Sequence, residues 1–585
     1  MPQRANSRAR RAVERVRGGL ALLYAIAAAP LALAQLPPAV RPPVDQLQRP
    51  SEVPLPAPEL KPPPKAPEIA VPPFKPAPEA PVLSQGARVL VRAFRFTGNT
   101  VVTESELQSL TAPYLGRELG SAELENIRQL ITRRYVDAGY INSGAVIPDQ
   151  DVTSGVIAFQ IIEGRLSEII VGGNNRFRPG YLRERIALGA EPVLNVNRLQ
   201  ERMQILLQDP QIERLSAELA PGTQRGDATL RADVTGTPPF FAGITLSNDR
   251  SPVVGADQAE LLFGTRNLLG LGESLTLRTA QTSGIEEYFA GFALPLTARG
   301  LVLQTRYQHT RSHVVEAPFD QLDISADSES WELALSQPLI EHPQRWLVAN
   351  ATLARRSTQS FFLGQPSPFI PGTPDGRFTT SVLRLGLDWV NRTMERVLAA
   401  RTQVSIGLDA FGSSVGDFFP DSRFTSLLGQ FQWVQRAFSP DGQLVLRAEA
   451  QYASDMLPNM EKYSLGGMDS VRGYRKDLFV RDNGIFASAE YRHTVGHLAL
   501  RPGAPAGEGA IRAAIFFDAG RAQDHGGPAT HPRYIASIGP GVRWEAMPGF
   551  EAVVYYGHAL KDVNTVTTTS QDRGWHIRVG YNKAF

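Results

Sequence analysis

The sequence predicts an all-β transmembrane barrel of sixteen antiparallel strands, preceded by two small α/β modules. The last 347 residues, 239–585, consist of repeated segments in which apolar and polar side chains alternate. Beyond residue 34 no run of about eighteen apolar residues occurs, so further membrane contact would be made by strands. Helical periodicity is confined to the chain before Pro239, which places the α/β modules ahead of the barrel.

Composition excludes several classes of function. The 585 residues contain no cysteine, which removes disulfide frameworks, thiolate metal sites and thiol catalysis. With 20% charged and 42% hydrophobic residues, the chain is too polar for a helical membrane protein and too apolar for a disordered one. After removal of residues 1–34, 54 basic and 57 acidic residues remain, so the electrostatic footprint of a nucleic-acid partner is missing.

Residues 1–34 have the pattern of a secretory signal peptide. Six arginines lie within the first eighteen residues, ahead of an apolar run that ends Ala32-Leu33-Ala34. A basic start, a short apolar core and a small-x-small cleavage site are typical of such peptides. An N-terminal membrane anchor is the alternative, which Pro30 and the short span disfavour.

Residues 35–85 are a Pro-rich linker. They contain 17 of the 45 prolines and are expected to form an extended, polyproline-type spacer that cannot supply a hydrogen-bonded ladder. The segment is either a solvated tether or one that spans the cell wall or threads a channel. Val44 to Arg49 is its one weak candidate for a helix.

Residues 86–165 and 166–238 each predict a β-α-α-β-β module of about 75 residues. Both carry a similar signature ahead of the first helix, Phe94-x-Phe96-x-Gly98-Asn99 and Ile169-x-Val171-x-Gly173-Asn174, which indicates an internal duplication. The expected strands are 89–96, 155–162, 167–171, 215–220 and 228–234, and the expected helices begin near Thr103 and cover 121–135, 179–188 and 197–207.

Residues 239–585 predict the barrel. In the segment 443–454, Leu444 and Leu446 alternate with Arg447 and Glu449, so that one face suits lipid and the other water. A soluble β-sandwich would alternate similarly and remains an alternative. The sixteen expected strands are 240–249, 257–268, 273–283, 285–296, 300–312, 328–339, 345–360, 377–393, 396–410, 422–438, 443–454, 484–495, 511–523, 533–546, 550–561 and 574–585.

One long connection, residues 455–483, stands out, because loops of this length are usually functional or disordered. It contains the tetrad Val471-Arg472-Gly473-Tyr474. The following strand carries Phe516, Asp518 and Gly520, which share one face because side chains alternate along a strand.

These residues carry a resemblance to a known family. The modules resemble POTRA domains, and the run from Gly139-Tyr140 to Glu163-Gly164 resembles the first such domain of two-partner secretion transporters. The tetrad and the Phe516-x-Asp518-x-Gly520 pattern resemble the loop-tip and barrel-wall motifs of that family, the haemolysin secretion/activation proteins or TpsB transporters. The resemblance implies that the loop folds into the lumen and that Arg472 meets Asp518 there.

An arginine can hold a carboxylate through a planar fork that lysine lacks. In a wet lumen the pair would contribute about 0 to 1 kcal/mol, rising to a few if water is excluded. A positioning role for Arg472 is therefore expected.

The resemblance further implies a transporter of the bacterial outer membrane with POTRA domains in the periplasm. The expected partners are one secreted exoprotein of the TpsA type, of the haemolysin or adhesin kind, outer-membrane lipid, and the barrel-assembly machinery through the terminal Phe585. No nucleic acid, cofactor or metal is expected. A barrel-assembly insertase, and a passive porin or surface adhesin, are the alternative functions.

Enzyme signatures are weak. Gly412-Ser413-Ser414-Val415-Gly416 matches a nucleophile elbow in letters, but no helix is expected after it. His493 and His497 would stand about 13 Å apart on a strand, too far to share one ion. No catalytic, cofactor-binding or metal-binding residue is predicted.

Overall fold

The structure is a computed structural model of the chain. It describes residues 49–55, 60, 67, 69–70, 88–174, 176–367, 375–416, 420–527, 530–563 and 568–585. The expected signal peptide, most of the Pro-rich linker and residues 44–48 of the weak helix candidate therefore lie outside the described residues. None of the helices in the described ranges is both long and apolar enough to cross a membrane.

The first module packs two helices on a small sheet. Its strands are Val89–Leu90, Ala93–Thr97, Glu118–Leu119, Gly144–Val146 and Val156–Ile162, and its helices are Glu104–Thr111 and Ser121–Asp137. Strand Val156–Ile162 is central, parallel to Ala93–Thr97 and antiparallel to Gly144–Val146. Ile127 and Ile131 from the longer helix are fully buried against this sheet, as their helical spacing predicts.

The second module repeats the arrangement. It contains strands Arg165–Gly172, Ile212–Pro221 and Asp227–Gly236 and helices Pro179–Ala187 and Val196–Leu206. The shared Gly-Asn signature has one physical cause in both modules, because Gly98 and Gly173 adopt φ values of +82° and +90°. A Cβ at Gly98 would lie 2.3 Å from the carbonyl oxygen of Ile161, and one at Gly173 would lie 2.4 Å from that of Val234. Both glycines let the chain turn directly against the central strand.

The linker departs from the expectation that it cannot join a ladder. Ile69–Ala70 pairs in parallel with Ala217 and Glu218 and so adds a strand to the edge of the second module's sheet. This pairing is possible because residues 68–71 form a stretch without proline between Pro67 and Pro72.

The predicted sixteen-stranded antiparallel barrel is confirmed, and because it closes, the sandwich alternative is wrong. The first strand pairs antiparallel with the last, from Phe241 opposite Ala584 to Ser247 opposite Arg578. Barrel strands 1 to 16 are Phe240–Ser247, Gln258–Arg266, Ser274–Gln281, Ile285–Pro295, Val302–His313, Ser325–His342, Arg345–Phe362, Arg377–Arg392, Arg396–Leu408, Thr425–Arg436, Gly442–Ala453, Asn483–His497, Ala510–Gln523, Ile535–Met547, Phe550–Tyr556 and Trp575–Ala584.

Strand 15 ends earlier than predicted, at Tyr556 instead of 561. After Gly557 a two-residue piece, His558–Ala559, pairs with strand 14. A Cβ at Gly557 would lie 1.9 Å from the carbonyl oxygen of Arg472, so the strand is interrupted where the long loop presses against the wall. Gln365–Pro366 is the other two-residue piece of the barrel sheet.

The barrel has a polar inside and an apolar outside, as the alternation predicts. In strand 3 the buried inner face carries Thr276 and Arg278, whereas Leu275 and Leu277 are exposed on the outer face. In strand 16 His576 is buried inside while Trp575 and Ile577 are exposed. Apolar side chains therefore face the membrane and polar ones line the bore.

The second module is docked on short turns at one end of the barrel. Arg202 pairs with Glu341 at the end of strand 6, and Arg185 donates to the carbonyl oxygen of Thr297 at 2.8 Å in the turn after strand 4. Arg178 reaches the turn after strand 2 through a backbone hydrogen bond of 2.9 Å to Gly270. The second module thus marks one mouth of the barrel, and the long loop starts at the opposite mouth.

Candidate functional site

The long loop folds back into the bore. It covers residues 454–482, between Ala453 at the end of strand 11 and Asn483 at the start of strand 12. The loop is not structureless, because Tyr463–Leu465 pairs with Phe479–Arg481 in a two-stranded hairpin. Its tip, residues 471–476, is buried although it belongs to a surface connection.

Arg472 lies at the loop tip against the inner wall. Its Nε donates to Asp518 Oδ2 at 2.8 Å and its Nη2 donates to Asp518 Oδ1 at 2.9 Å, so the guanidinium holds the carboxylate through both arms of the fork. The backbone N–H of Arg472 also donates to Asp518 Oδ2, at 3.1 Å. The Arg472 side chain is 2% exposed and that of Asp518 is 0% exposed, so water is excluded from the pair.

Arg472 keeps its positive charge although it is buried. Burial on its own would lower the pKa of the Arg472 guanidinium, but the Asp518 and Glu490 carboxylates outweigh that effect and hold the pKa above its ordinary value. The side chain therefore stays protonated throughout the physiological pH range.

The three wall residues have separate physical functions. Phe516 lies under the guanidinium, whose central carbon is 3.7 Å from the ring centroid. Asp518 supplies the counter-charge described above. Gly520 leaves room for the loop hairpin, because a Cβ there would lie 2.6 Å from Cδ1 of Leu465.

The other three residues of the tetrad hold the loop tip against the barrel wall. Val471 and Tyr474 belong to an apolar cluster that joins the loop to the wall, and Tyr474 donates its hydroxyl to the carbonyl oxygen of Lys561 at 2.9 Å. Gly473 passes so close to strand 14 that an added Cβ would lie 2.6 Å from Ser537 Cβ. The structure thus brings together all seven residues of the two predicted motifs.

Two further side chains that accept hydrogen bonds from Arg472 were missed by the sequence analysis. Its Nη2 donates to Ser488 Oγ at 3.2 Å, and its Nη1 donates to Glu490 Oε2. Ser488 in turn donates to Asp518 Oδ1 at 2.6 Å. The polar alternation Ser488-x-Glu490-x-Arg492 in strand 12 could have indicated these residues, because it marks the inner face of the neighbouring strand.

Part of the linker also lies inside the bore. Arg49 pairs with Asp477 at 3.0 Å and Glu52 pairs with Lys476 at 2.7 Å, so the linker contacts the loop through two ion pairs. On the wall side, Gln430 of strand 10 donates to the Ser51 carbonyl oxygen at 3.0 Å, and Arg401 of strand 9 donates to that of Val53 at 3.1 Å. For residues 49–55 the structure therefore differs from the expectation of a solvated tether.

A cavity of about 960 Å³ remains between the loop tip and the wall. It extends from Arg472 to Gly549 in the turn after strand 14, at the mouth where the modules dock. Both acidic and basic side chains line it, among them Glu260, Arg447 and Arg543. Within the described ranges no group of three or more His, Asp and Glu side chains is placed to hold a metal ion. The bore is thus partly filled, by the loop tip and by linker residues that line the cavity.

Two family models match the chain. The model described as haemolysin secretion/activation protein ShlB/FhaC/HecB matches residues 226–544, and the model described as POTRA domain, ShlB-type, matches residues 89–164.

Curated relatives and solved structures are similar over most of the chain. The outer membrane transporter CdiB of Dickeya dadantii (strain 3937) is 25% identical over 433 residues, which cover 69% of this chain and 72% of the relative. The hemolysin transporter protein HpmB of Proteus mirabilis is 22% identical, over 74% of this chain and 76% of the relative. The solved structure of CdiB from Escherichia coli has the same fold, with a TM-score of 0.66, 20% identity, and coverage of 86% of this chain and 92% of that chain.

Proposed function

This chain belongs to the haemolysin secretion/activation protein family, and we propose that its barrel passes one large exoprotein of the TpsA type from the periplasm to the cell surface. The protein is an outer-membrane transporter of the two-partner secretion type, with its POTRA modules on the periplasmic side. The observation that carries the proposal is the buried contact of Arg472 with Asp518, which holds a loop across a bore lined by polar side chains.

The loop is proposed to be the resting barrier of the pore. A closed sixteen-stranded barrel encloses an aqueous channel, so an idle transporter needs a segment that fills it. Because the Arg472–Asp518 pair is buried, its rupture leaves an uncompensated charge inside the wall, at a cost of about 3 to 5 kcal/mol. The pair therefore fixes the loop firmly at rest and must be replaced by other contacts when the exoprotein passes.

The linker is proposed to be a second occupant of the bore. Residues 49–55 lie beside the cavity and pair with the loop at Lys476 and Asp477. This supports the channel-threading function for the Pro-rich segment over that of a solvated tether. An exoprotein that enters from the modules would have to displace or bypass this segment.

Capture of the exoprotein is proposed to occur at a module edge by strand addition. Main-chain pairing suits an extended segment that is not yet folded. The strand Ile212–Pro221 already carries Ile69–Ala70 on its outer side, so an incoming strand would compete with the linker there. Outer-membrane lipid around the barrel, and recognition of Phe585 by the barrel-assembly machinery, are further proposed contacts.

The proposed function is tested by deletion of the gene and proteomics of the culture medium and the outer membrane. The proposal predicts that one large protein disappears from the medium, that other outer-membrane barrels keep their amounts, and that the wild-type chain restores export. General depletion of barrel proteins would indicate an insertase instead. Purified protein that conducts steadily in planar bilayers, with unchanged export after deletion, would indicate a porin.

A further inference from the structure

A second charged contact ties the loop to a different part of the barrel wall. Glu461 lies in the short 3-10 turn Asn459–Glu461 near the base of the loop, and its side chain is 0% exposed. Arg384 of strand 8 donates to Glu461 Oε1 at 2.6 Å, and Arg356 of strand 7 approaches the same oxygen at 3.4 Å. Arg356 also donates to the backbone carbonyl oxygen of Met460, at 3.3 Å.

The contact lies far around the barrel from the motif at the loop tip. Arg472 is bound by strands 12 and 13, whereas Glu461 is bound by strands 7 and 8. Strands 9 to 11 separate the two sites on one side of the barrel, and strands 14 to 16 and 1 to 6 separate them on the other. The loop is thus held by ion pairs to strands 7 and 8 as well as to strands 12 and 13.

The electrostatics of this second site depend on Glu461. Arg356 and Arg384 are both nearly fully buried, and Glu332 of strand 6 is the other carboxylate that they face, at 2.9 Å and 4.0 Å. Arg306 of strand 5 also pairs with Glu332, at 3.3 Å, so three guanidiniums meet one carboxylate from the wall and one from the loop. Since buried charges require close partners, the wall favours the position of the loop that delivers Glu461.

We propose that Glu461, held by Arg356 and Arg384, is a second ionic latch that fixes the base of the loop to strands 7 and 8 and so sets the closed position in which Arg472 reaches Asp518. Glu461 is a positioning residue, because it acts on the pore through the loop. The proposal rests on the proposed function of the loop as the resting barrier.

The test is single-channel recording of the purified full-length chain in planar lipid bilayers, together with export in cells. Glu461→Gln keeps the shape of the side chain and removes its charge. We expect an increase of about tenfold in the fraction of time spent in the open state, because a hydrogen bond to a neutral amide oxygen is weaker than one to a carboxylate by about this factor. Asp455→Asn is the matched control, because Asp455 is an exposed carboxylate in the same loop, and its open fraction should equal that of the wild type.

A second comparison separates a latch from a charge imbalance in the wall. The double variant Glu461→Gln with Arg384→Gln restores the charge balance but not the contact, so the latch predicts the same raised open fraction as Glu461→Gln alone. Return of the double variant to wild-type closure would overturn the proposal. Assembly of Glu461→Gln is judged by heat-modifiable migration. If this variant fails to assemble, Glu461→Asp is used instead, because its shorter side chain cannot make the same contact. Wild-type closure of the Glu461→Asp pore would overturn the latch.

Arg472→Ala distinguishes this inference from the proposed function. If Arg472→Ala opens the pore and Glu461→Gln leaves both closure and export unchanged, the second latch is wrong and the barrier function stands. If both variants behave as the wild type, the loop is not the barrier and both proposals fail.

Discussion

Replacement of Arg472 by lysine tests whether the fork geometry of the guanidinium, and not only its charge, holds the loop. In the structure the side chain makes four hydrogen bonds, two to Asp518, one to Ser488 and one to Glu490. A lysine ammonium retains the positive charge but has a single nitrogen. It cannot approach both oxygens of Asp518 in the plane of the carboxylate and still reach Glu490.

The expected cost follows from these contacts. A hydrogen bond to a charged group contributes about 1.5 to 3 kcal/mol, and Arg472→Lys loses at least one arm of the Asp518 fork and weakens the contact with Glu490. A net loss of about 2 to 3 kcal/mol lowers the ratio of closed to open pores by about 30- to 150-fold, since each 1.4 kcal/mol is a factor of about ten. Arg472→Ala leaves Asp518 without its buried partner, so its loss is larger, about 3 to 5 kcal/mol.

The assay is the open fraction of single pores in planar bilayers, with export of the partner protein measured in cells. The expected order of closure is wild type, then Arg472→Lys, then Arg472→Ala. The matched control is Arg481→Lys, because Arg481 lies in the same loop and is only half-buried, with Asp524 at 3.3 Å as its carboxylate partner. Closure and export by Arg472→Lys at wild-type level would refute the argument that the fork is required.

Two further predictions concern the close approach of Gly473 to strand 14 and the carboxylate of Glu163 in the first module. Gly473→Ala places a Cβ 2.6 Å from Ser537 Cβ, so the loop tip should no longer fit against strand 14 and the open fraction of the pore should rise. The double variant Gly473→Ala with Ser537→Gly should partly restore closure. Both are measured by the same bilayer recording. In the first module, burial would raise the pKa of Glu163, but hydrogen bonds from Thr100 and Val101 outweigh it and hold the pKa below its ordinary value. The stabilisation is therefore present above the unfolded-state pKa of about 4.3 and lost as pH falls through the folded-state pKa. Thermal unfolding followed by circular dichroism should show that this module loses stability on acidification, and that the loss is smaller in Glu163→Gln. An identical acid response of the wild type and the variant would contradict this prediction.

The features that depend on local pattern could be predicted from the sequence. Strand alternation places Phe516, Asp518 and Gly520 on the inner face of strand 13 without knowledge of any other strand. The features that depend on contacts across the bore could not be predicted from the sequence. Strand 15 stops at Tyr556 because Gly557 faces the loop, and Glu461 meets strands 7 and 8 because the loop crosses the lumen. Composition likewise predicts an extended linker but cannot indicate that Ile69–Ala70 finds a free sheet edge.

The path of the linker has a consequence for how the molecule is put together. Residues 49–55 lie within the closed cylinder and Ile69–Ala70 lies on a module outside it, so the polypeptide enters the ring that its own later segments form. The ring closes only when residues 578–584, in strand 16, pair with the first strand. The early part of the chain must therefore be encircled as the ends join, or be fed in afterwards past the loop. Biogenesis of this protein thus includes a threading step that an empty cylinder of equal size does not need.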